Sequence, residues 1–376
     1  MDFQLTESQQ MLQDSAQRFM RQQHGFEQRR ALLKEGAGLH AALWQTFAEM
    51  GWLALPYPED QGGLDGSHRD LVQLMSCFGE GLTVEPYSAN VLLAGQLISA
   101  LGSPEQQAAL LSPMLTGDMQ LAFAHDEPGR RFALDARLLT AARDGDQYRL
   151  SGDKAVVLNG DKAQQLVVSA RLGEATLLFV VPADAKGLSR RDYPTVDGGS
   201  AADLHFDGVT LPASALLGDE QDQSAAIEVA LDKALLGLCA EAVGIMAALV
   251  SDTVEYCKTR KQFGTPISTF QVLQHRMVDM FMRTEQSRAL LEMAAIQADN
   301  AAPAEAREAL SSLKAWLGSA ARYVGQQAVQ LHGGMGVTEE LRVGHYFKRL
   351  TLIQELLGNE DWHLRRLDRL MTEAAA

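Results

Sequence analysis

The chain has 376 residues, 46% of them hydrophobic, and a formal charge of -15 at pH 7. That length and apolar content are ample for a large core and two or three domains. The acidic balance argues against nucleic acid and anionic membrane surfaces as partners, since both recruit basic proteins.

No run of about 18 apolar residues stands out, so no membrane span is expected. The opening MDFQLTESQQ has neither a basic region nor an apolar stretch that would direct export, so a cytoplasmic location is expected. Cys77, Cys239 and Cys257 form neither a disulfide framework nor a metal-ligand spacing, and no metal site is expected.

Residues 1–120 read as a helical domain. Thr6 with Gln9, and Ser103-Pro104-Glu105-Gln106, have the form of capping boxes, the second with Pro at the first helical position. Pro56-Tyr57-Pro58 and Gly62-Gly63 mark a loop between them. From 121 to 223 the period shortens. Runs rich in β-formers, such as Thr176-Leu177-Leu178-Phe179-Val180-Val181, alternate with Asp144-Gly145, Asn159-Gly160 and Asp207-Gly208 turns, which predicts an antiparallel β domain. Residues 224–376 return to helix, with long segments at about 224–259, 269–299 and 303–330, Pro303 opening the third. Short turns between long helices suggest an up-down bundle. The class is multi-domain α+β, with no internal repeat or low-complexity segment beyond Ala374-Ala375-Ala376.

Two segments bear on chemistry. Tyr256 to Met280 sets Arg260, a tight turn at Gly264-Thr265-Pro266 and the pair Phe270-Gln271 between two helical stretches. A guanidinium fork at a helix junction suits a bidentate grip on pyrophosphate. One helix later comes Gln330 to Arg349, QLHGGMGVTEELRVGHYFKR. Gly333-Gly334 lets backbone approach a ligand without a Cβ in the way, or serves as a helix C-cap. Arg260 also fits a solvated charge run, and Phe263 and Phe270 also fit a core.

Together these segments resemble the C-terminal signatures of the FAD-dependent acyl-CoA dehydrogenase family, and the resemblance runs along nearly the whole chain. It implies an N-terminal helical domain, a middle β-barrel and a C-terminal four-helix bundle. It also implies that Arg260, Phe263, Phe270, Gln271, Gln330, Gly333 and Gly334 hold the adenosine and pyrophosphate end of an FAD seated mainly on a neighbouring subunit.

The rest of the family's site is altered. Its T-E-P-x-x-G-S-D loop stands here as His125-Asp126-Glu127-Pro128-Gly129-Arg130-Arg131-Phe132, with only Glu-Pro intact. Its G-x-K-x-W-I-T-N element has Val156 where a tryptophan would pack on the flavin, and Leu158 where a threonine would bond flavin N5. The family's catalytic glutamate precedes a glycine about 27 residues past the Q-x-x-G-G glutamine, and that count from Gln330 reaches Leu357. The alternative family position falls on Ala234. A hydrocarbon accepts no proton, so the catalytic residue is unknown. Glu241 and Glu355 are the acidic candidates. His125 and His332 suit structural roles, and Arg130-Arg131 suits either a CoA or substrate anion or a solvated turn.

Losing the ring-side groups while keeping the neighbour-facing ones resembles small subunits of heteromeric bacterial acyl-CoA dehydrogenases, of the pimeloyl-CoA dehydrogenase kind. The segments AEAVG (240–244), KTRKQFGTPI (258–267) and VGHYFKRL (343–350) carry that closer match. The resemblance implies an acyl-CoA thioester substrate and a homologous large subunit in a heterotetramer. An electron-transfer flavoprotein would be the acceptor. A self-sufficient homo-oligomer with a non-standard base, and an FAD-free structural homologue, are the alternatives.

Overall fold

The computed structural model describes residues 3–36 and 38–375, and side chains as far as residue 372; residues 1 and 2 of the opening stretch and the last alanine of the tail lie outside. The N-terminal helices are α1 (Glu7–Gln23), α2 (Phe26–Glu35), α3 (Ala41–Glu49), α4 (His68–Gly81), α5 (Gly95–Leu101), α6 (Pro104–Gln106) and α7 (Ser112–Leu115). Strands β1 (Leu121–Ala124), β2 (Thr140–Asp144), β3 (Gln147–Leu158), β4 (Gln165–Leu172), β5 (Ala175–Pro182), β6 (Leu188–Pro194) and β7 (Ser200–Pro212) follow. Then come α8 (Ser224–Thr259), a small hairpin of β8 (Lys261–Gln262) and β9 (Thr265–Pro266), α9 (Gln271–Asn300), α10 (Pro303–His332), α11 (Arg342–Glu355) and α12 (Glu360–Ala375).

Both expected capping boxes form. Gln9 N–H donates to Thr6 Oγ1 at 3.2 Å while Thr6 N–H donates to Gln9 Oε1 at 3.1 Å, and Ser103 and Gln106 exchange the same pair of bonds. A third box, Ser67 with Asp70, opens α4. It was legible in the sequence as well, with aspartate standing in for the usual glutamate or glutamine.

Contacts group the chain into two compact units: Met1–Ala31, Ser67–Thr83 and Leu235–Ala376 form one, Leu32–Gly66 and Val84–Ala234 the other. In the first unit α10 is central, packed by α9, α11 and α12. Here α4 meets α8 through reciprocal glycines. A Cβ on Gly79 would lie 2.0 Å from the Glu241 carbonyl oxygen, and one on Gly244 would lie 2.0 Å from that of Ser76. Only glycine permits that approach, so Gly244→Ala lowers stability by ~1–3 kcal/mol through overpacking, read from denaturant midpoints. An 18-residue window of α8 reaches a mean hydropathy of 2.0, and 78% of it is buried. This corrects the expectation that no apolar run of about 18 residues occurs, and packing against protein accounts for its composition.

In the second unit the strands form a mixed sheet in the order β1-β4-β2-β3-β7-β6, with β5 on β4. This corrects the antiparallel expectation, because β1 pairs with β4 in parallel, Leu121 opposite Gln165. Hairpin turns are local and legible; a parallel partner three strands further along the chain is not. Among the described residues no ladder joins β6 to β1 or β5, so the backbone ladders leave the sheet open there. Its core is apolar, built on Leu139, Leu150, Leu166, Val168, Phe179 and Phe206.

Candidate functional site

In the first unit α8 ends at Thr259, and the Arg260 carbonyl accepts a bond from Ile267 N–H at 2.9 Å, closing a loop around the β8–β9 hairpin. The turn sits one residue earlier than expected. Phe263 (φ 55°) and Gly264 (φ 83°) are its two central residues, and Thr265-Pro266 forms β9. A two-residue hairpin that matches strand twist needs positive φ at both positions, which glycine accepts freely and phenylalanine does not. Phe263 is 93% exposed, which excludes a core role. Its ring meets the half-buried Phe270, the N-cap of α9, edge to face at 6.2 Å.

Gln271 opens α9 and Gln330 sits in the last turn of α10, both exposed. Among the described residues, the side chains of Arg260, Gln271 and Gln330 form no hydrogen bond or ion pair, with one another or with the rest of the chain. Gly333 (φ 59°) caps α10, its N–H donating to the Gln330 carbonyl. A Cβ on Gly333 or Gly334 would meet nothing within 4 Å. Internal packing therefore does not require Gly334, and the space it leaves open is the kind a close-approaching ligand fills. Exposed guanidinium and amide donors, a bare aromatic ring and uncovered backbone fit the phosphate-and-adenosine end of a dinucleotide cofactor.

Sequence reasoning missed what joins the two motifs. Tyr256, one turn before Arg260, stacks on His332, next to Gly333, with ring centroids 4.3 Å apart. His332 Nδ1 bonds the Ala328 carbonyl at 2.8 Å, and burial lowers its pKa below the ordinary histidine value. The available signal was the spacing Asp252, Tyr256, Arg260, which is one stripe of a helix.

The residues at the expected base positions do no acid–base chemistry. Ala234 is fully buried. Leu357 lies at φ 54° in a turn that is tightly held. The Lys314 ammonium donates to the carbonyls of Ile353 (3.0 Å), Leu356 (2.9 Å) and Gly358 (2.6 Å), and His363 Nε2 bonds that of Leu357 at 3.0 Å. Burial pulls Lys314 down to about 8 and His363 down to about 3. Glu241, 4% exposed, accepts a bidentate grip from Arg349 Nε at 2.6 Å and Nη2 at 2.7 Å. Glu355 is exposed.

In the second unit the surviving Glu127 and Lys154 are structural. Glu127 accepts from the backbone N–H groups of Arg137 (3.0 Å), Leu138 (2.9 Å) and Leu139 (3.0 Å) and from Lys154 Nζ (3.1 Å). Lys154 also donates to the His125 carbonyl and Ser169 Oγ, both at 2.9 Å. His125 is consumed by Ser169 and the Ala133 carbonyl, and burial lowers its pKa to about 4. Arg130 pairs with Asp135 at 2.8 Å, whereas Arg131 lies over the Phe132 ring at 4.9 Å.

Val156 sits in a β3 bulge at φ 53°, a costly setting for a β-branched residue, and is 48% exposed. Its N–H is held by Asp203 at 3.0 Å. The bulge turns the Val156 side chain partly into solvent. Among the described residues no cluster of three or more metal-ligating side chains occurs.

The model of the acyl-CoA dehydrogenase N-terminal domain matches residues 6–118, and that of the C-terminal domain matches residues 225–372. The short-chain specific acyl-CoA dehydrogenase of Homo sapiens mitochondria is 30% identical over 330 residues, spanning 84% of this chain and 79% of that one. Among solved structures, a Tcur3481-Tcur3483 steroid ACAD variant superposes with a TM-score of 0.88 at 31% identity, covering 98% of this chain and 99% of that chain. The ChsE4-ChsE5 complex from Mycobacterium tuberculosis gives a TM-score of 0.90 at 27% identity, covering 99% of both chains.

Proposed function

The chain belongs to the acyl-CoA dehydrogenase family and has its fold, an N-terminal helical domain, a middle curled sheet and a C-terminal helical domain. From that premise we propose that it is the small subunit of a heteromeric, FAD-dependent acyl-CoA dehydrogenase. In this reading it grips the adenosine and pyrophosphate end of the flavin, and a homologous large subunit supplies the catalytic glutamate. The observation that carries the reading is a contrast within the chain. Arg260, Gln271 and Gln330 are presented outward without internal hydrogen-bond or ion-pair partners and the Phe263 ring, touching only Phe270 among the aromatic rings, is almost fully bare, while both base positions hold hydrocarbons and Glu241 is locked to Arg349.

When bound, the flavin supplies the hydride acceptor for α,β-dehydrogenation of the thioester. This chain's part is to bind and orient it. Arg260 would offer charge-assisted bonds to phosphate and Gln271 and Gln330 amide donors. Exposed apolar groups along α9, namely Val272, Val278, Phe281 and Met282, support a face that another chain covers. Two solved relatives whose names pair two chains, one of them called a steroid ACAD, support the heteromeric form. The pimeloyl-CoA small-subunit type and an electron-transfer flavoprotein acceptor belong to the same reading.

Co-expression with a homologous chain that carries a glutamate at a base position is the test. The expected product is a yellow complex, and Arg260→Ala in that complex removes the flavin absorbance. A yellow, active homo-oligomer of this chain alone would overturn the reading.

A further inference from the structure

The cofactor motifs come from two separate stretches, and the stripe Asp252, Tyr256, Arg260 on α8 connects them. Asp252 and Tyr256, four residues apart, project from one side of the helix, and Arg260 follows four residues on, just past the helix end at Thr259, its N–H donating to the Tyr256 carbonyl at 2.8 Å. Tyr256 stacks on His332 at the end of α10, with rings inclined by 27°, and its hydroxyl donates to the His332 carbonyl at 3.3 Å. Asp252 grips Arg342 at the start of α11 through both carboxylate oxygens, each at 2.5 Å. Residues 333–341, which begin with Gly333-Gly334, are therefore pinned to α8 at both ends. Between the pins the backbone is folded tightly: a Cβ on Gly336 would lie 2.7 Å from the Val329 carbonyl oxygen. The third member of the stripe, Arg260, is left with its guanidinium facing outward.

We infer that Asp252 and Tyr256 are positioning residues that fix the register between Arg260 and the Gln330–Gly334 element, so that the two motifs act as one preformed grip on the cofactor. The inference rests on the cofactor reading above. It adds that affinity depends on two side chains that need not touch the ligand. Holding two binding elements at a set spacing before the ligand arrives removes an ordering cost from binding. Loss of either pin lets the glycine turn move relative to Arg260, and that ordering cost returns as weaker flavin binding.

The experiment measures FAD dissociation constants by flavin fluorescence in the assembled complex, alongside its mass and the melting of its flavin-free form. Tyr256→Leu, which removes the stack, is expected to weaken FAD about tenfold, the upper range for an aromatic pair. Tyr256→Phe, which keeps the ring, is expected to restore affinity close to wild type. Asp252→Asn should weaken FAD by several-fold, and in each variant the complex keeps its mass, with any fall in flavin-free melting read separately from the loss of affinity. Unaltered FAD affinity in both Tyr256→Leu and Asp252→Asn overturns the positioning role while leaving Arg260→Ala free to lose flavin. Retention of flavin by Arg260→Ala instead overturns the cofactor reading itself. Should Tyr256→Leu fail to assemble, Asp252→Asn decides the matter by the same affinity measurement.

Discussion

Glu127→Gln lowers stability by ~3–5 kcal/mol, more than Lys154→Met does, because the carboxylate organises more than its ion pair. Three successive backbone N–H groups, from Arg137 to Leu139, point at Glu127, and with Lys154 they fold residues 125–139 onto the sheet. A glutamine presents an NH2 group to donors that need acceptors, leaving buried N–H groups unpaired. Methionine at 154 removes the ammonium but leaves those three bonds in place. Urea midpoints, with amide exchange localised to residues 125–139, check the order of the two variants.

The same carboxylate sets a pH dependence. Burial alone would raise its pKa, but the Lys154 ammonium and the N–H groups outweigh that and hold it below the ordinary value of 4.5. A group whose folded pKa is depressed contributes fully above its unfolded value and loses that contribution as pH falls through the folded one. The stability gap between wild type and Glu127→Gln is therefore present in full at neutral pH and narrows as the solution is acidified below about pH 4.5.

Glu241→Gln separates a structural carboxylate from a catalytic one. The expected result is a loss of about 3 kcal/mol in stability, since Arg349 is left charged in a largely buried place. The turnover of the assembled enzyme should change by no more than about twofold, whereas removing a true general base costs about 100-fold or more. Denaturant titration and steady-state kinetics on one preparation read both. A rate loss of the larger size with stability intact would make Glu241 the base.

Much of the architecture was legible because its causes are local. Thr6, Ser103 and Pro303 announce helix starts through the hydrogen bonds their own side chains or missing N–H dictate. The parallel pairing of β1 with β4 was hidden because nothing in either strand encodes a partner some 40 residues away. At the candidate site, residue types at Arg260, Gln271 and Gln330 already favoured a phosphate ligand. Their exposure, which turns that into an argument for a site completed from outside, required coordinates. Conversely, the surviving Glu127 and Lys154 look in sequence like remnants of a flavin site, and only their hydrogen bonds explain why they stand where so much around them differs. Tyr256 with His332 was unreadable for another reason: a stack between residues 76 apart leaves no pattern along the chain.

The carbonyl cage around Lys314 has a consequence for time rather than structure. Lys314, as an amine, is an ordinary target for acylating reagents in alkaline buffer. Yet its nitrogen is sealed among the carbonyls that close α11. Reagent can reach it only in the moments when the α11–α12 turn comes apart. The rate at which Lys314 takes up an acyl label, followed by peptide mass, is therefore a clock for the opening of that turn.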